Sequence, residues 1–296
     1  MKISVIVPFL NEAHHLEQCI KALLNQDFLK REYEMIFVNN GSRDRSAELV
    51  RGHPALVLLE EPTPGAYAAR NRGLSVARGE LIAFTDADCV PATDWLTQIS
   101  AGMARTGAAI VLGKWRFVHQ RSDGLRLCED YENARIAHIL RQCAAPHAFA
   151  FTNNMAIRAD VIRALGPFVE WDRGGDTEYL QRYLAQFPRA KAAYLQDMVV
   201  THLEMNRLRR WLGKQSTYGW SMKRITRKTP YRPLGYWQRF QVYRACVRTH
   251  RYAVSCQIYL LGVLGLGLIC FAWGRMQRFF EERVAEWCGV VAGWRE

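Results

Sequence analysis

The chain is organised around the segment Ala83-Phe84-Thr85-Asp86-Ala87-Asp88-Cys89, in which a short apolar run ends in two carboxylates separated by one residue. Where a strand ends and the chain bends out of the sheet, this spacing lets both carboxylates turn toward one side. Such a pair suits a hard divalent cation that bridges to phosphate oxygens. Two aspartates before Pro91 can also simply begin a turn, so the neighbouring segments must decide between these interpretations.

The residues before this segment alternate between strand and helix patterns. Short apolar runs predict strands at 3–8, 35–38, 57–59 and 81–84. Helices are predicted at 16–24, 42–50 and 66–77, the last of them stopped by Gly79. This alternation predicts a mostly parallel sheet with helices on both faces. Loops 8–12, 39–44 and 85–90 should then meet at the carboxyl-end edge, where ligands bind in such sheets.

Composition and simple motifs narrow the class of protein. The 296 residues suffice for one large domain or two modest ones. The eight cysteines are scattered without a Cys-x-x-Cys pair, which argues against a disulfide framework or zinc cluster and favours a reducing, cytosolic setting. The chain begins directly with a strand pattern, so no cleavable signal is expected. Gly-x-Gly-x-x-Gly and Gly-Lys-Ser/Thr motifs are missing, which disfavours a dehydrogenase or P-loop enzyme. A nucleotidylyltransferase, which needs a Gly-rich signature and an early lysine, is disfavoured too.

Five short motifs occur in an order and spacing that resemble the family 2 glycosyltransferases. They are, in chain order, Val7-Pro8 with Asn11-Glu12, Val38-Asn39-Asn40-Gly41-Ser42-Arg43-Asp44, Gly65 with Ala69-Arg70-Asn71-Arg72-Gly73-Leu74 and Ala77-Arg78-Gly79-Glu80, Asp86-Ala87-Asp88, and Trp95-Leu96. The resemblance extends over residues 3–205. It implies a Rossmann-like A-type glycosyltransferase domain, a nucleotide-diphosphate sugar donor, inversion at the anomeric carbon, and Mg²⁺ or Mn²⁺ as cofactor.

The resemblance also implies roles for individual residues. The donor-binding positions would be Pro8, Asn11, Glu12, Asn39, Asn40, Ser42, Gly65, Arg70, Asn71, Asp86, Ala87 and Asp88. The metal ligands would be Asp88, Asp86 and His202, and the acceptor side would hold Asn153, Asn154 and Gly175. Asp176 would deprotonate the acceptor hydroxyl, with Glu178 as the alternative base. Structural explanations stay open, because Asp176 can cap a helix and His202 can be an ordinary buried histidine.

One position departs from the family pattern. The family usually has an aspartate that reads the nucleotide base where this chain has Asn39 and Asn40. An asparagine carbonyl accepts a hydrogen bond and its amide donates one, so the preferred base need not be uracil.

The sequence changes character after His202. No Asp or Glu occurs between Met205 and Phe280, while thirteen Lys and Arg residues crowd the first part of this window. The formal net charge of +12 is therefore regional, and it does not indicate a nucleic-acid partner. The uncharged run of 21 residues, 253–273, would reach about 30 Å as a helix, the thickness of a hydrocarbon core. The positive-inside rule then places the catalytic part on the cytoplasmic side of the cell membrane.

The predicted fold is therefore an α/β A-type glycosyltransferase domain with a mostly parallel central sheet, followed by a basic helical region and a membrane helix. Its predicted parts are the nucleotide-sugar-binding half 1–110, the acceptor-side half 111–205, the basic aromatic segment 206–251, the membrane helix 252–274 and an amphipathic tail 275–296. An in-plane helix or the buried helix of a homodimer are alternatives to a membrane span.

The predicted activity is metal-dependent sugar transfer. The partners are a nucleotide-diphosphate sugar, a glycan or lipid-linked acceptor and the membrane. The alternative is a catalytically inactive, membrane-associated relative that acts as a scaffold or nucleotide-sugar sensor. The intact carboxylates of Asp86, Asp88 and Asp176 argue against it.

Overall fold

A computed structural model describes residues 1–118, 123–142, 145–189 and 191–292. The strands of this part of the chain are β1 (Ile3–Phe9), β2 (Tyr33–Asn39), β3 (Val57–Glu60), β4 (Leu81–Thr85), β5 (Cys89–Pro91), β6 (Ile110–Phe117), β7 (Asn154–Arg158) and β8 (Ala192–His202). Its α-helices are α1 (Leu16–Leu24), α2 (Ser46–Arg51), α3 (Ala66–Leu74), α4 (Trp95–Thr106), α5 (Asp123–Gln142), α6 (Ala159–Leu165), α7 (Gly175–Gln186), α8 (Leu208–Lys228), α9 (Tyr236–His250) and α10 (Val254–Ala292).

The strands form one eight-stranded sheet in the order β3-β2-β1-β4-β7-β6-β8-β5. The first four neighbours are parallel, with Val5 opposite both Met35 and Ala83. Strand β7 runs antiparallel to β4 and β6, β5 runs antiparallel to β8, and β6 and β8 are parallel. The predicted parallel sheet is thus found in the first half, whereas the second half is mixed. Apolar runs in the sequence indicate buried strands, but they do not show whether neighbouring strands are parallel or antiparallel.

Helices cover both faces of the sheet. All seven residues of β1 are buried, as the continuous apolar run predicts. Val5 shares a core with Leu16 and Trp95, from α1 and α4, whereas Ile6 belongs to the opposite core with Ala69 of α3. Each fully buried aliphatic side chain contributes about 1.5–3 kcal/mol, so the two cores fix the sheet edge on which the site is built.

Gly79 does not stop a helix. Helix α3 ends at Leu74, before the predicted stop. A Cβ on Gly79 would lie 2.4 Å from the Ser4 backbone nitrogen, and the Gly79 amide donates to Ser4 Oγ at 2.8 Å. Glycine is needed here because two backbone segments approach closely, so the prediction of a helix stop is wrong.

The apolar helix α10 packs along α8. A Cβ on Gly274 would lie 1.9 Å from Ser216 O, and one on Gly219 would lie 2.0 Å from Phe271 O. These glycines let the two helix backbones touch. Val254–Phe280 is long and apolar enough to cross a membrane, with 27 residues, a mean hydropathy of 2.1 and 17% of its apolar window buried. Helix α10 therefore combines a docked face with an exposed apolar one.

Candidate active site

A cavity of about 590 Å³ opens between the carboxyl-end edge of the sheet and the C-terminal helices. Six of the predicted site residues line it, namely Arg70, Asp86, Asp88, Asn153, Asp176 and His202. Residues of α5, α8, α9 and α10 complete the wall. The structure thus brings together groups from distant parts of the sequence, from both predicted halves of the catalytic domain.

Asp86 is held in place by a buried arginine. Arg70 Nη2 donates to Asp86 Oδ1 at 2.6 Å, and the Arg70 side chain is only 5% exposed. The guanidinium carbon lies 5.2 Å from the centroid of the Tyr67 ring, a cation–π contact. Arg70 therefore sets the direction of the Asp86 carboxylate rather than reaching freely into the cavity.

Asp88 occupies a position that favours a cation. Burial and then the negative charge of Asp86 raise the pKa of Asp88 to about 7. Two carboxylates that repel each other in a partly buried site are stabilised when a divalent cation binds between them. Asp88, Cys89 and His202 also place possible ligand atoms within 4.8 Å of one another. Burial raises the pKa of the Cys89 thiol well above its ordinary range, which leaves oxygen and imidazole as the better ligands.

His202 ends β8 next to Asp88. Its Nδ1 is 3.2 Å from Asp88 Oδ2, but this buried nitrogen has no hydrogen-bond partner within the described residues. Burial and then the charge of Lys214 lower the pKa of His202 well below its usual value, so the ring is neutral. A neutral buried imidazole beside a carboxylate fits a metal ligand set.

Lys214 restricts how His202 can bind a metal. Lys214 Nζ lies 2.6 Å from His202 Nε2. An ammonium group only donates, so Nε2 accepts and the ring hydrogen sits on Nδ1. His202 can therefore ligate through Nδ1 only after Lys214 leaves Nε2 and the ring takes its other tautomer. Asp86 and Asp88 need no such change.

Asp176 lies in the first turn of α7, against Tyr67. The Asp176 amide donates to Tyr67 Oη at 3.1 Å, and the Thr177 amide donates to Asp176 Oδ1 at 2.8 Å. Gly174, with φ of +84°, holds the position before the helix without a side-chain cap, so Asp176 is not the helix cap. Burial raises the pKa of Asp176 against the opposing effects of the Thr177 amide and Arg70. A carboxylate with a raised pKa in a cavity suits a general base.

Glu178, the alternative base, points elsewhere. Its Oε1 forms an ion pair with Arg182 Nε at 3.0 Å, one helical turn further along α7. Glu178 is not among the described residues that line the cavity, whereas Asp176 is. The geometry therefore favours Asp176.

The predicted base-reading residues hold neighbouring loops together. Asn39 Nδ2 donates to Glu60 Oε2 at 2.8 Å, and Asn39 Oδ1 accepts from the Ser42 amide at 2.9 Å. Asn40 Oδ1 accepts from the Gly65 amide at 2.7 Å. A carboxylate is thus present at this edge after all, supplied by Glu60 at the end of β3. Sequence reasoning missed it because Glu60 lies outside the matching motif.

Other predicted donor residues link the loops in the same way. The Asn11 amide donates to Ser42 Oγ at 3.0 Å, and Asn11 Oδ1 accepts from the Arg43 amide at 2.8 Å. Asn71 holds the segment around Phe168 through hydrogen bonds with its backbone amide and carbonyl, each at 2.9 Å. The donor positions that do not line the cavity are Pro8, Asn11, Glu12, Asn39, Asn40, Ser42, Gly65, Asn71 and Ala87.

The three residues predicted on the acceptor side, Asn153, Asn154 and Gly175, occupy different positions relative to the cavity. Asn153 lines the cavity, and its Oδ1 accepts from Trp115 Nε1 at 3.0 Å. Asn154 is fully buried and accepts from Trp95 Nε1 at 2.9 Å while donating to two backbone carbonyls. Asn154 therefore cross-links the sheet, and its prediction as an acceptor contact is corrected. Gly175 is buried at the start of α7, where a Cβ would lie 2.8 Å from Val169 O.

Several cavity residues have no counterpart in the sequence motifs. Tyr67 contacts Asp176 across a large separation in the chain, which spacing alone does not reveal. Glu132 and Arg135 form an ion pair on α5, and Arg239 comes from α9. The acid and base at helical spacing on α5 were a usable signal, but such pairs usually lie on solvent-exposed helix faces.

Comparisons with known proteins identify the family of this chain. Residues 4–166 match the model of the family described as glycosyl transferase family 2. Glycosyltransferase AglE of Haloferax volcanii is 32% identical over 186 residues, 61% of this chain and 60% of AglE. The chain thus covers less than two thirds of this relative's length.

Solved structures share the fold. A mannosyltransferase, PcManGT from Pyrobaculum calidifontis in complex with GDP-Man and Mn²⁺, superposes with a TM-score of 0.67 at 19% identity, covering 95% of this chain and 87% of that one. The structure of S. aureus TarS 1-349 in complex with UDP-GlcNAc gives a TM-score of 0.53 at 18% identity, covering 92% of this chain and 82% of the other. Both likenesses establish the fold.

Proposed function

The chain belongs to glycosyl transferase family 2 and is a transferase, and on that premise we propose that it moves a sugar from a nucleotide-diphosphate donor to an acceptor hydroxyl with inversion at the anomeric carbon. One observation carries the proposal: a single cavity contains the acidic pair Asp86 and Asp88 together with the separate, desolvated carboxylate of Asp176. Inverting transfer needs these two functions, diphosphate binding and proton removal, in one space.

We propose that Asp88 and Asp86 hold Mg²⁺ or Mn²⁺, with His202 as a third ligand once Lys214 has moved. Bound there, the ion would supply Lewis-acid stabilisation of the departing diphosphate. Arg70 keeps Asp86 aimed at the site through its short hydrogen bond. The family commonly uses a divalent metal, and the PcManGT structure contains Mn²⁺. Burial and then the charge of Asp86 raise the pKa of Asp88, which supports a cation at this position in the present chain.

Asp176 is the proposed base. Its carboxylate accepts the acceptor hydroxyl proton while the acceptor oxygen forms a bond to the anomeric carbon. The bond from that carbon to the diphosphate breaks on the opposite face, and the leaving group departs with the electron pair. The Thr177 amide fixes the orientation of the carboxylate through its bond to Oδ1. The raised pKa makes Asp176 a stronger proton acceptor than an exposed aspartate.

The donor nucleoside is proposed to lie on the linked loops at the ends of β1, β2 and β3. Residues 1–110 would bind the donor in this way, and residues 111–205 would form the acceptor side. Asn39 is hydrogen-bonded to Glu60 at this edge, so a carboxylate accompanies the asparagine there. That combination can pair with a base other than uracil. The similar structures carry GDP-Man in one case and UDP-GlcNAc in the other, so both bases belong in a screen.

Helix α10 is proposed to lie in the membrane surface rather than cross the bilayer. Phe279 packs near Lys223 Nζ, 5.4 Å from its ring centroid, so α10 follows the charged helix α8 along its length. A span would draw the lysines and arginines of α8 into hydrocarbon, which is costly. Ile258 and Ile269, each 66% exposed, would instead enter the lipid on the cytoplasmic side.

The acceptor is proposed to be a glycan or a lipid-linked glycan. Three apolar side chains of α10, those of Leu261, Leu264 and Leu268, line the cavity that also contains Asp176. A water-soluble sugar gains little from contact with an apolar wall, whereas the lipid part of a lipid-linked acceptor would be stabilised by burial against it.

Nucleoside diphosphate release tests the proposed reaction. Purified protein is incubated with Mn²⁺, a panel of UDP, GDP, TDP and CDP sugars, and membrane extract as the source of acceptor. We expect release from one class of donor, with transfer of the sugar to extracted lipid. Nucleotide binding without any release across the panel would instead indicate an inactive, sensor-like relative.

Labelling from one side of a vesicle tests the placement of α10. Cysteines are introduced by Arg251→Cys, before the helix, and Gln277→Cys, near the end of its apolar part, and reacted with an impermeant maleimide. An in-plane helix exposes both positions on the same side. Labelling of only one position above the background of the native cysteines would establish a span.

A further inference from the structure

A pair of arginines lies in the cavity apart from the acidic pair. Arg135 comes from α5 and Arg239 from α9, and both line the same cavity. Arg135 Nη2 is 2.8 Å from Glu132 Oε2, and its guanidinium carbon lies 5.0 Å from the centroid of Phe149. Arg239 Nε donates to the Leu234 carbonyl oxygen at 3.0 Å. Two guanidinium groups are therefore fixed at the junction of α5 and α9.

This pair carries an excess of positive charge. Glu132 is the carboxylate that neutralises Arg135, and no ion pair among the described residues includes Arg239. Burial and then the charge of Arg135 lower the pKa of Arg239, as expected for cations that lie close together. Desolvated like charges destabilise a fold unless an anion binds between them.

The arginines also have polar atoms available for a ligand. Arg135 Nε is buried and has no hydrogen-bond partner within the described chain. The hydroxyls of Tyr131 and Tyr231 are close enough to affect the pKa of both arginines. Forked N–H donors with neutral hydroxyl donors beside them match the oxygens of a phosphate group.

The cavity that contains the arginines also has an apolar wall. Leu261, Leu264, Leu268 and Phe271 of α10 and Phe240 of α9 line the same cavity as this pair. A site for a free phosphate ion needs no such surface, while an amphiphile with a phosphate head and a long apolar tail would use both parts.

We propose that Arg135 and Arg239 bind the phosphate group of a lipid-linked glycan acceptor, in which that phosphate joins the glycan to a long apolar alcohol, and that the apolar chain lies along α10. This inference rests on the proposed function, because it identifies the class of acceptor for the same cavity. Glu132 acts as a positioning residue: its Oε1 accepts from Trp211 Nε1 at 3.2 Å and Gln215 Nε2 at 3.3 Å while its other oxygen faces Arg135.

Binding measurements without donor or metal test this site. The probes are farnesyl phosphate, inorganic phosphate and farnesol, titrated into the full-length protein by calorimetry. We expect farnesyl phosphate to bind at least about tenfold more tightly than either other probe, because only it combines charge and chain. Arg239→Gln is expected to weaken farnesyl phosphate binding about tenfold or more. This substitution leaves no buried carboxylate without its partner, unlike a change at Arg135.

Arg248→Gln is the matched control. Arg248 is exposed on the same helix as Arg239, and its substitution removes the same charge. It should bind farnesyl phosphate like the wild type. Arg239→Lys keeps the positive charge but lacks the paired N–H donors of a guanidinium group. It should therefore bind farnesyl phosphate with an affinity between those of Arg239→Gln and the wild type, which separates a binding effect from a general folding defect.

Three results would overturn the proposal. They are unchanged affinity in Arg239→Gln, farnesol binding as tightly as farnesyl phosphate, and inorganic phosphate binding as tightly as farnesyl phosphate, which would mark a site for a free ion. Since no nucleotide sugar is present, a failure here is distinct from a failure of sugar transfer in the release assay.

Discussion

The loops at the ends of β1, β2 and β3 and the cavity behind them are both rich in polar residues. They differ in how far these polar atoms find hydrogen-bond partners within the protein. In the loops, Asn11, Asn39 and Asn40 find partners in neighbouring backbone or side chains. In the cavity, Arg70 Nε, Arg135 Nε and His202 Nδ1 are buried without a hydrogen bond in the described residues. Buried polar atoms are nearly always paired in folded proteins, so the unpaired ones indicate where ligands bind.

This difference shows that the motif-bearing loops have a structural role in addition to providing a surface for the donor. Their side chains hold three strand ends in register, which gives the donor a rigid platform. The cavity contains groups whose charges are only partly balanced within the protein, namely the pair Asp86 and Asp88, Asp176 and the arginine pair. Substitutions should therefore lower stability in the first region and lower activity in the second.

The largest expected effect is that of Asp176→Asn. Loss of the base should lower kcat about 100- to 10,000-fold while donor affinity stays near that of the wild type. The fold should be no less stable, because the raised pKa shows that the charged carboxylate is disfavoured there. Nucleoside diphosphate release measures kcat, and thermal unfolding measures stability.

The matched control is Glu178→Gln, which we expect to retain kcat within about threefold, since the residue lies outside the cavity lining. The opposite pattern would move the base to Glu178.

Asp88→Asn should affect donor binding. With one carboxylate removed, we expect Mn²⁺-dependent affinity for the nucleoside diphosphate to fall about 100-fold, because a metal ligand and its charge are lost. Calorimetry with and without Mn²⁺ separates this effect from metal-independent binding. If Mn²⁺ enhances binding to the variant as strongly as to the wild type, Asp88 is not a ligand.

Arg70→Gln should have a smaller effect, through Asp86. Without its guanidinium partner, Asp86 loses its fixed direction, and we expect donor affinity to fall about tenfold. Arg72→Gln, an exposed change on the same helix, serves as the control and should leave the affinity unaltered. A loss in both variants would point to long-range charge rather than positioning.

Asn154→Ala should leave the chemistry nearly intact and destabilise the fold. Trp95 Nε1 and two backbone carbonyls lose their partner in the protein interior, so we expect the free energy of unfolding to fall by about 2–3 kcal/mol. Urea unfolding measures this change, and kcat of the folded fraction should stay within about threefold of the wild type. A large fall in kcat without a loss of stability would restore Asn154 to the acceptor site.

The sequence predicts the parallel half of the sheet well, because buried parallel strands appear as unbroken apolar runs such as the one before Pro8. The antiparallel insertion of β7 leaves no comparable pattern. The motif residues Asp86, Asp88 and Asp176 do meet in one cavity. Motifs could not show that Asn154 is a sheet cross-link, since exposure and burial of an asparagine depend on its tertiary surroundings.

The C-terminal part shows the same limit. An apolar run of sufficient length predicts contact with hydrocarbon, and Val254–Phe280 meets that criterion. Length and composition do not reveal that α10 docks on α8 or lines the cavity. The arginine pair is likewise invisible in the sequence, because Arg135 and Arg239 lie on helices far apart in the chain and resemble ordinary surface arginines.

A crystal structure with Mn²⁺ and the preferred nucleoside diphosphate, chosen by a calorimetric screen of UDP, GDP, TDP and CDP, tests the central assignment most directly. The account predicts Mn²⁺ at about 2.0–2.3 Å from a carboxylate oxygen of Asp88, with the terminal phosphate facing the part of the cavity that contains Asp176. A terminal phosphate bound outside this cavity, or a metal ion that contacts neither Asp88 nor Asp86, would contradict it.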